Sequence, residues 1–193
     1  FYDKIILYID DHILQIRNSW ENEYYQRNLI KEALKDESVE NDIILISDID
    51  EIPNLSKIDF KNIRNSFCYF EQNQYYYYYN LKQNEFWNGS CIFRANLLDK
   101  YEPQEIRNKR NQPENIIKDG GWHFAYLGGK DQIKYKLQSF AHTEYANLED
   151  WKIEFALKNH VDLFDRKELK YSKVSLSEFP KDLSKYFKKE FLI

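Results

Sequence analysis

The chain has 193 residues, 42% of them hydrophobic and 31% charged, which suffices for one globular domain over residues 1–193. Its net charge of −4 argues against a general affinity for nucleic acid, and no apolar run reaches the length of a membrane span. The two cysteines, Cys68 and Cys91, suit neither a zinc site nor a disulfide framework and indicate a reducing compartment such as the cytoplasm.

The first predicted elements are a strand and a helix. Lys4–Asp10 is a short apolar run that is typical of a buried strand. Because the chain contains no Met and begins at Phe1, we expect a further segment upstream of this strand. A helix is predicted over Ser19–Lys35, with Asn18 as its N-cap and Glu21 at the third helical position.

The two faces of this helix differ in character. The apolar stripe consists of Tyr25, Leu29, Ile30 and Ala33. The opposite face carries Trp20, Tyr24, Arg27 and Asn28. That second face looks either to solvent, the default for a polar helix face, or into a site.

The next predicted strand, Asp42–Ser47, runs directly into the acids Asp48, Asp50 and Glu51. On an extended backbone Asp48 and Asp50 lie on the same side, about 7 Å apart, and ligands of open α/β sheets bind beyond such strand ends. Their oxygens suit a Mg²⁺ or Mn²⁺ ion that also holds a diphosphate. The alternative is a solvated acidic turn after a core strand.

The remaining elements alternate between strands and helices. A weak helix around Leu55–Ile63, a long strand or hairpin over Phe67–Leu81 and a turn with a strand over Trp87–Arg94 are predicted. The polar stretch Glu102–Asp119 is expected to be a functional surface loop. A strand bracketed by glycine pairs (Gly120–Gly129) and helices over Lys130–Phe140 and Leu148–Asn159 follow. This alternation favours an α/β fold with a mostly parallel sheet.

Several separated segments of the chain together resemble the family 17 glycosyltransferases. The residues that carry the resemblance are Trp20 with Gln26-Arg27-Asn28, Ile46–Pro53 around Asp48 and Asp50, Gly121-Trp122-His123-Phe124, and Lys136-Leu137-Gln138-Ser139. The ending Phe140-Ala-His-Thr-Glu144 resembles bacterial and viral members. The resemblance spans nearly the whole chain and leaves the acceptor open.

The resemblance implies a GT-A type nucleotide-sugar fold, N-terminally truncated in this chain, with an inverting, metal-dependent reaction at the D-x-D residues. It implies UDP-N-acetylglucosamine as the donor, a glycan hydroxyl as the acceptor, and Mn²⁺ or Mg²⁺ as the cofactor. Asp48, Asp50 and His123 are the expected metal ligands, with His142 a further candidate. A divalent ion would act as a Lewis acid on the departing diphosphate. For His123 the alternative is a hydrogen-bonded core histidine.

Inversion requires a general base for the acceptor hydroxyl, worth about 10²–10⁴ in rate. Three acids are candidates, in the order Asp131, Glu144 and Asp119, and each could instead cap a helix or face solvent. Arg27 and Asn28, together with Asp48, are the expected donor-binding residues.

Two rival functions remain open at the level of the sequence. The chain could be a non-catalytic or degenerate domain that binds a glycan or a nucleotide sugar. It could also be a metal-dependent nuclease that uses the acids after the Asp42–Ser47 strand, although the acidic net charge counts against this.

Overall fold

The computed structural model describes residues 2–11, 18–63, 65–139 and 141–193, except the side chains of residues 2 and 62. In these ranges the helices are α1 (Ser19–Leu34), α2 (Pro103–Lys109), α3 (Gly129–Ser139), α4 (Asp150–Asn159) and α5 (Lys181–Ser184). The strands are β1 (Ile43–Ile46), β2 (Glu51–Pro53), β3 (Cys68–Tyr76), β4 (Leu81–Trp87), β5 (Cys91–Arg94), β6 (Asn115–Ala125) and β7 (Tyr171–Lys173). No helix in the described ranges is long and apolar enough to cross a membrane.

All described strands join one sheet in which β3 has three neighbours. It pairs in parallel with β6, and antiparallel with β5 at its first residues and with β4 further along. β1 pairs with β5, β7 with β4, and β2 with β6, all antiparallel. β4 and β5 therefore follow each other along β3, separated by the short segment 88–90.

The architecture is mixed α/β as predicted, but the sheet is mostly antiparallel and the expectation of a mostly parallel sheet is wrong. Among the described strands only β3 and β6 run parallel. The physical reason is the four-residue connection between β3 and β4, because so short a link joins only antiparallel neighbours. The range Phe67–Leu81, predicted to be a long strand or a hairpin, contains the strand β3 and the turn after it, and β4 lies beyond that range except for Leu81.

The prediction of a strand over Lys4–Asp10 is wrong. Tyr2–Lys4 forms a single 3₁₀ turn, and residues 5–11 have no regular structure. The apolar side chains of the run remain exposed, with Leu7 78% and Ile9 74% accessible. A strand needs a hydrogen-bonded neighbour, and no described strand pairs with residues 5–11. β1 lies at the sheet edge, with β5 as its one partner among the described strands.

The predicted loop over Glu102–Asp119 is also wrong, because most of it is regular. Pro103 opens α2, the Glu102 and Glu105 side chains form a capping box at its start, and β6 begins at Asn115. Proline at the first helical position is pre-organised for a helix, so Pro103 marks the start of a helix and not a loop.

Several other elements are confirmed with small shifts of their ends. α1 begins after Asn18, whose Oδ1 accepts from the Glu21 amide at 3.0 Å. β1, β5 and α4 lie where the sequence predicts them, and so does α3 up to Ser139, since Phe140 lies outside the described residues. The weak helix around Leu55–Ile63 is reduced to two 3₁₀ turns, Leu55–Lys57 and Phe60–Asn62.

The core consists of two main clusters on different parts of the sheet. One packs α3 and α4 on the ends of β3 and β6, with Tyr77, Ile133, Leu137 and Ile153 at most 1% exposed. The other packs α2 and the segment after β5 on β1 and β3, and Leu34 of α1 reaches it. α1 also contacts α2, and none of its residues is fully buried.

The β2–β6 pairing brings two sequence motifs together. Glu51 lies opposite His123 and Pro53 opposite Gly121, while the Phe124 amide donates to the Asp50 carbonyl at 2.8 Å. Gly121 has φ of +128°, and a Cβ built on it would lie 2.1 Å from the Ile52 carbonyl oxygen. This pairing therefore requires glycine at position 121.

Gly121→Ala is expected to lower the free energy of unfolding by more than the about 1–3 kcal/mol that a strained backbone costs, because the new methyl group also overlaps the β2 backbone. Gly129→Ala is the matched control, since its φ is +77° but the nearest atom to its Cβ is 4.0 Å away. That control should cost about 1–2 kcal/mol. Urea unfolding of both variants measures the difference, and equal losses would contradict the stated role of Gly121.

Candidate functional site

The acids after β1 lie on a tight turn and not on an extended backbone. The Glu51 amide donates to the Asp48 carbonyl at 3.0 Å, and Ile49 at the tip is fully exposed. The two-residue alternation of a strand does not apply to a turn, so Asp48 and Asp50 face different partners. We call residues 48–51 the acidic turn.

Glu51 is the buried centre of this turn, with a side chain that is 0% exposed. Its Oε1 accepts from Trp87 Nε1 at 2.6 Å and from Arg107 Nη1 at 3.1 Å. Its Oε2 accepts from Ser90 Oγ at 2.9 Å and from the Asp48 amide at 3.2 Å. Four donors and one guanidinium charge thus compensate for the desolvation of the carboxylate.

The segment between β4 and β5 wraps closely around this carboxylate. A Cβ on Gly89 would lie 1.8 Å from Glu51 Oε1, and the Gly89 carbonyl accepts from Arg107 Nη1 at 2.8 Å. Only glycine leaves room for the buried carboxylate at this position. The turn and strand predicted over Trp87–Arg94 are confirmed except at Trp87, which ends β4, and residues 88–90 line one side of the acidic turn.

The Trp87 ring contacts two basic side chains. The His123 ring stacks on it with centroids 4.8 Å apart, and the Arg110 guanidinium lies 4.1 Å from its ring centroid. Burial, and after it the charge of Arg107, lowers the pKa of Arg110 to about 10. Arg110 Nη1 and His123 Nδ1 are buried nitrogens without a protein partner among the described residues.

Asp48 faces the helices α1 and α2. Its Oδ2 accepts a short hydrogen bond from Arg107 Nη2, and Arg27 Nη2 lies 3.6 Å from its Oδ1. Arg27 Nη1 also donates to Gln104 Oε1 at 2.6 Å. The backbone amide of Gln104 donates to Asn28 Oδ1. Of the face of α1 that could have been solvated, the part with Arg27 and Asn28 packs on α2 and the aromatic part stays exposed. This packing brings the predicted donor residues Arg27 and Asp48 together.

Asp50 faces β6 and α3. Its Oδ2 accepts from Lys136 Nζ at 2.7 Å and lies 3.6 Å from His123 Nε2, longer than an ordinary hydrogen bond. Burial acts to raise the pKa of Asp50, but the nearby imidazole and the Lys136 ammonium outweigh burial and hold that pKa well below its usual range. Asp50 is therefore ionised at neutral pH.

The three expected metal ligands do not converge as arranged. Asp50 and His123 are neighbours, whereas Asp48 points across the turn to Arg107. In the described part of the chain no group of three or more His, Cys, Asp or Glu side chains is arranged to hold an ion. Because a basic side chain already pairs with each aspartate, this donor set as arranged does not fit a divalent ion.

The three candidate bases lie in different places. Asp131 is exposed in the first turn of α3, the helix that carries Lys136. Glu144 accepts from His142 Nδ1 at 2.7 Å, a bond that lowers the pKa of Glu144, and the His142 ring meets Trp20 edge-on at 4.6 Å. Asp119 is 81% exposed and pairs with Lys57, four residues or about 13 Å before His123 along β6.

Three basic residues of this site were not named from the sequence as site residues. Arg107 and Arg110 lie in a segment that was predicted to be a loop. Their spacing of three residues was therefore not interpreted as one face of a helix. Recognising Pro103 as a helix start would have placed both side chains near one helix face. Lys136 was part of a motif, but nothing in the sequence pairs it with Asp50, 86 residues away.

Comparison with known proteins identifies one family. The family model described as Glycosyltransferase family 17 matches residues 2–179, which include the acidic turn, α2, β6 and α3. No curated protein and no solved structure shows significant similarity to the chain.

Glu51→Gln is expected to lower the free energy of unfolding by about 1.5–3 kcal/mol, because it removes one of the two carboxylates that pair with Arg107 and turns an amide NH₂ toward hydrogen-bond donors. Glu154→Gln is the control, since Glu154 is 59% exposed and its partner Lys130 is 35% exposed. That control should cost at most about 1 kcal/mol. Urea unfolding of both variants tests this, and a loss for Glu51→Gln as small as that of the control would contradict the account.

Lys136→Gln is expected to raise the pKa of Asp50, because burial of the carboxyl persists while its direct cationic partner is lost. Lys134→Gln removes another lysine of α3, one that pairs with Asp150 of α4, and should leave that pKa unchanged. Carbon-detected NMR titration of the Asp50 carboxyl measures both. An unchanged Asp50 pKa in Lys136→Gln would show that Lys136 is not the group that lowers it.

The same pKa has a consequence for stability. Because the folded pKa of Asp50 lies below its unfolded value of about 4, the carboxylate stabilises the fold above pH about 4. That contribution is lost as the pH falls through the folded pKa. Lys136→Gln should therefore lower the free energy of unfolding at neutral pH. A smaller part of that free energy should then be lost when the pH falls.

Proposed function

The chain belongs to glycosyltransferase family 17, and from this premise we propose that it transfers N-acetylglucosamine from UDP-N-acetylglucosamine to a glycan hydroxyl with inversion at the anomeric carbon. A glycosyltransferase takes a sugar donor and an acceptor, so the site must bind an anionic nucleotide and a hydroxyl-bearing acceptor. The GT-A fold that the resemblance implies is part of this proposal.

The single observation that carries the proposal is the set of cations around the acidic turn. Arg27 and Arg107 lie at Asp48, and Lys136 lies at Asp50. The developing charge in glycosyl transfer is on the departing diphosphate. Pre-positioned guanidinium and ammonium groups stabilise such charge without reorganising during the reaction.

The proposed reaction is a single displacement. The acceptor oxygen forms a bond to the anomeric carbon while the bond from that carbon to the diphosphate oxygen breaks. The electron pair of the broken bond leaves with UDP, toward Arg27 and Lys136, and the hydroxyl proton passes to a carboxylate base. The aspartates of the turn hold these cations in place before the donor binds.

Asp131 is the proposed base. It lies in the first turn of α3, where the positive end of the helix dipole favours an ionised carboxylate. Glu144 is weakened as a base by its bond to His142, since a lowered pKa reduces proton affinity. Asp119 is placed beside Lys57, away from the acidic turn.

The divalent ion is a proposal drawn from the resemblance. Since the aspartates are paired with basic side chains, no step above depends on a metal. Titration of UDP by calorimetry with and without Mn²⁺ tests the cofactor. Tighter UDP binding with Mn²⁺ would support it, and equal binding would remove it from the proposal.

A non-catalytic domain that binds a nucleotide sugar is the second candidate. The observation in its favour is that every carboxylate of the acidic turn already has a basic partner among the described residues. Such a domain would bind UDP but would release no sugar from the donor.

Asp131→Asn is expected to lower UDP release from UDP-N-acetylglucosamine, with methyl glycosides as acceptors, by about 10² or more, because it removes the proton acceptor. UDP affinity should remain within a few-fold, since Asp131 does not contact the nucleotide in this proposal. Asp182→Asn is the control: this exposed acid is also in the first turn of a helix, α5, and pairs with Lys185.

Each outcome separates the alternatives. Full activity of Asp131→Asn would assign the base to another acid. UDP binding by the wild-type chain without any sugar release would favour the non-catalytic domain. Absence of UDP binding would contradict both.

A further inference from the structure

An open cleft of about 560 Å³ adjoins the acidic turn on the side of Asp50. One wall is a face of α3 that presents Gln132, Tyr135, Lys136 and Ser139 at helical spacing. The opposite wall is Ile49 of the turn and Ile52 of β2. Phe124 of β6 and Tyr126, just after β6, are also among its lining residues.

Apolar side chains around this cleft are exposed without belonging to the core. Tyr135 is 68% exposed, Ile49 fully and Ile52 37% exposed, and none of the three joins a core cluster of the described residues. Contiguous exposed apolar side chains beside a polar group are typical of a binding site.

The charges of the cleft indicate what can bind. Its charged groups, Asp50 and Lys136, pair with each other at 2.7 Å, so the cleft offers no unpaired charge to an ion. The guanidinium groups of Arg27 and Arg107 lie instead at Asp48, on the other part of the acidic turn. An anionic nucleotide is thus better matched to the guanidinium groups beside Asp48, with Lys136 at the border between the two regions, and an uncharged ligand is better matched to the rest of the cleft.

An uncharged sugar ring fits this lining. One face of a pyranose carries C–H bonds with slightly positive hydrogens, which pack on the negative face of an aromatic ring such as that of Tyr135. Its hydroxyl groups can bond to Gln132, Ser139 and the Asp50–Lys136 pair. We infer that this cleft is the acceptor subsite, and that it binds an uncharged glycan through the apolar face of a ring. This inference rests on the proposed function, because it needs a donor at the acidic turn.

The test is saturation-transfer NMR with the methyl glycosides of glucose, galactose, mannose and N-acetylglucosamine, which lack an aromatic aglycone. The wild-type chain should saturate the ring C–H protons of at least one of them. Tyr135→Ala should weaken its binding by about three- to tenfold, the loss expected for one aromatic contact. The control is Tyr186→Ala, a tyrosine that is 73% exposed outside the cleft and should have no effect.

Other outcomes would overturn the inference. These are no saturation of any glycoside by the wild-type chain, equal losses in the two tyrosine variants, or a loss of self-association in Tyr135→Ala that marks the cleft as an interface between copies. UDP calorimetry on the same samples separates the two proposals. Tyr135-dependent glycoside binding without UDP binding would keep the glycan subsite and reject the transferase.

Discussion

The buried carboxylate of Glu51 is the interaction on which the geometry of the site depends. A charge without solvent contact is stable only where hydrogen bonds and a counter-charge surround it. Here those partners come from β4, from the segment before β5, from α2 and from the acidic turn itself. One side chain thus ties together three pieces of chain that are far apart in sequence, residues 48–51, residues 87–90 and α2, and it fixes Arg107 where that residue can pair with Asp48.

The second feature is the pairing of each carboxylate of the acidic turn with a basic side chain. Asp48 pairs with Arg107, Glu51 with the same guanidinium, and Asp50 with Lys136. Each acid keeps its basic partner in place, and each base lowers the cost of holding an ionised acid in a partly buried position. In the proposed reaction the same basic groups become the partners of a departing diphosphate.

The sequence predicted local features better than long-range ones. α1 with its Asn18 cap, β1, and α3 as far as Ser139 follow from periodicity and capping, which depend on neighbouring residues. The antiparallel sheet was missed because the alternation of strands and helices does not reveal that β4 turns back on β3. The Lys4–Asp10 run has the composition of a strand, but a strand also needs a partner, and composition contains no information about partners.

The same division applies to the candidate site. The acids after β1 and His123 were found because their motifs are contiguous in sequence, and β2–β6 pairing does bring Asp50 and His123 together. The role of Glu51 was missed because burial by Trp87, Ser90 and Arg107 is a tertiary property. Treating the backbone after β1 as extended placed Asp48 and Asp50 on one side, whereas the turn separates them.

The central claim is that the acidic turn holds the diphosphate of a nucleotide-sugar donor. A crystal structure of the chain grown with UDP tests it most directly. The account predicts the diphosphate beside the acidic turn, with its oxygens within hydrogen-bond distance of Arg27 or Lys136. A UDP molecule bound at another face, such as the groove between α1 and the segment after β5, would contradict the account.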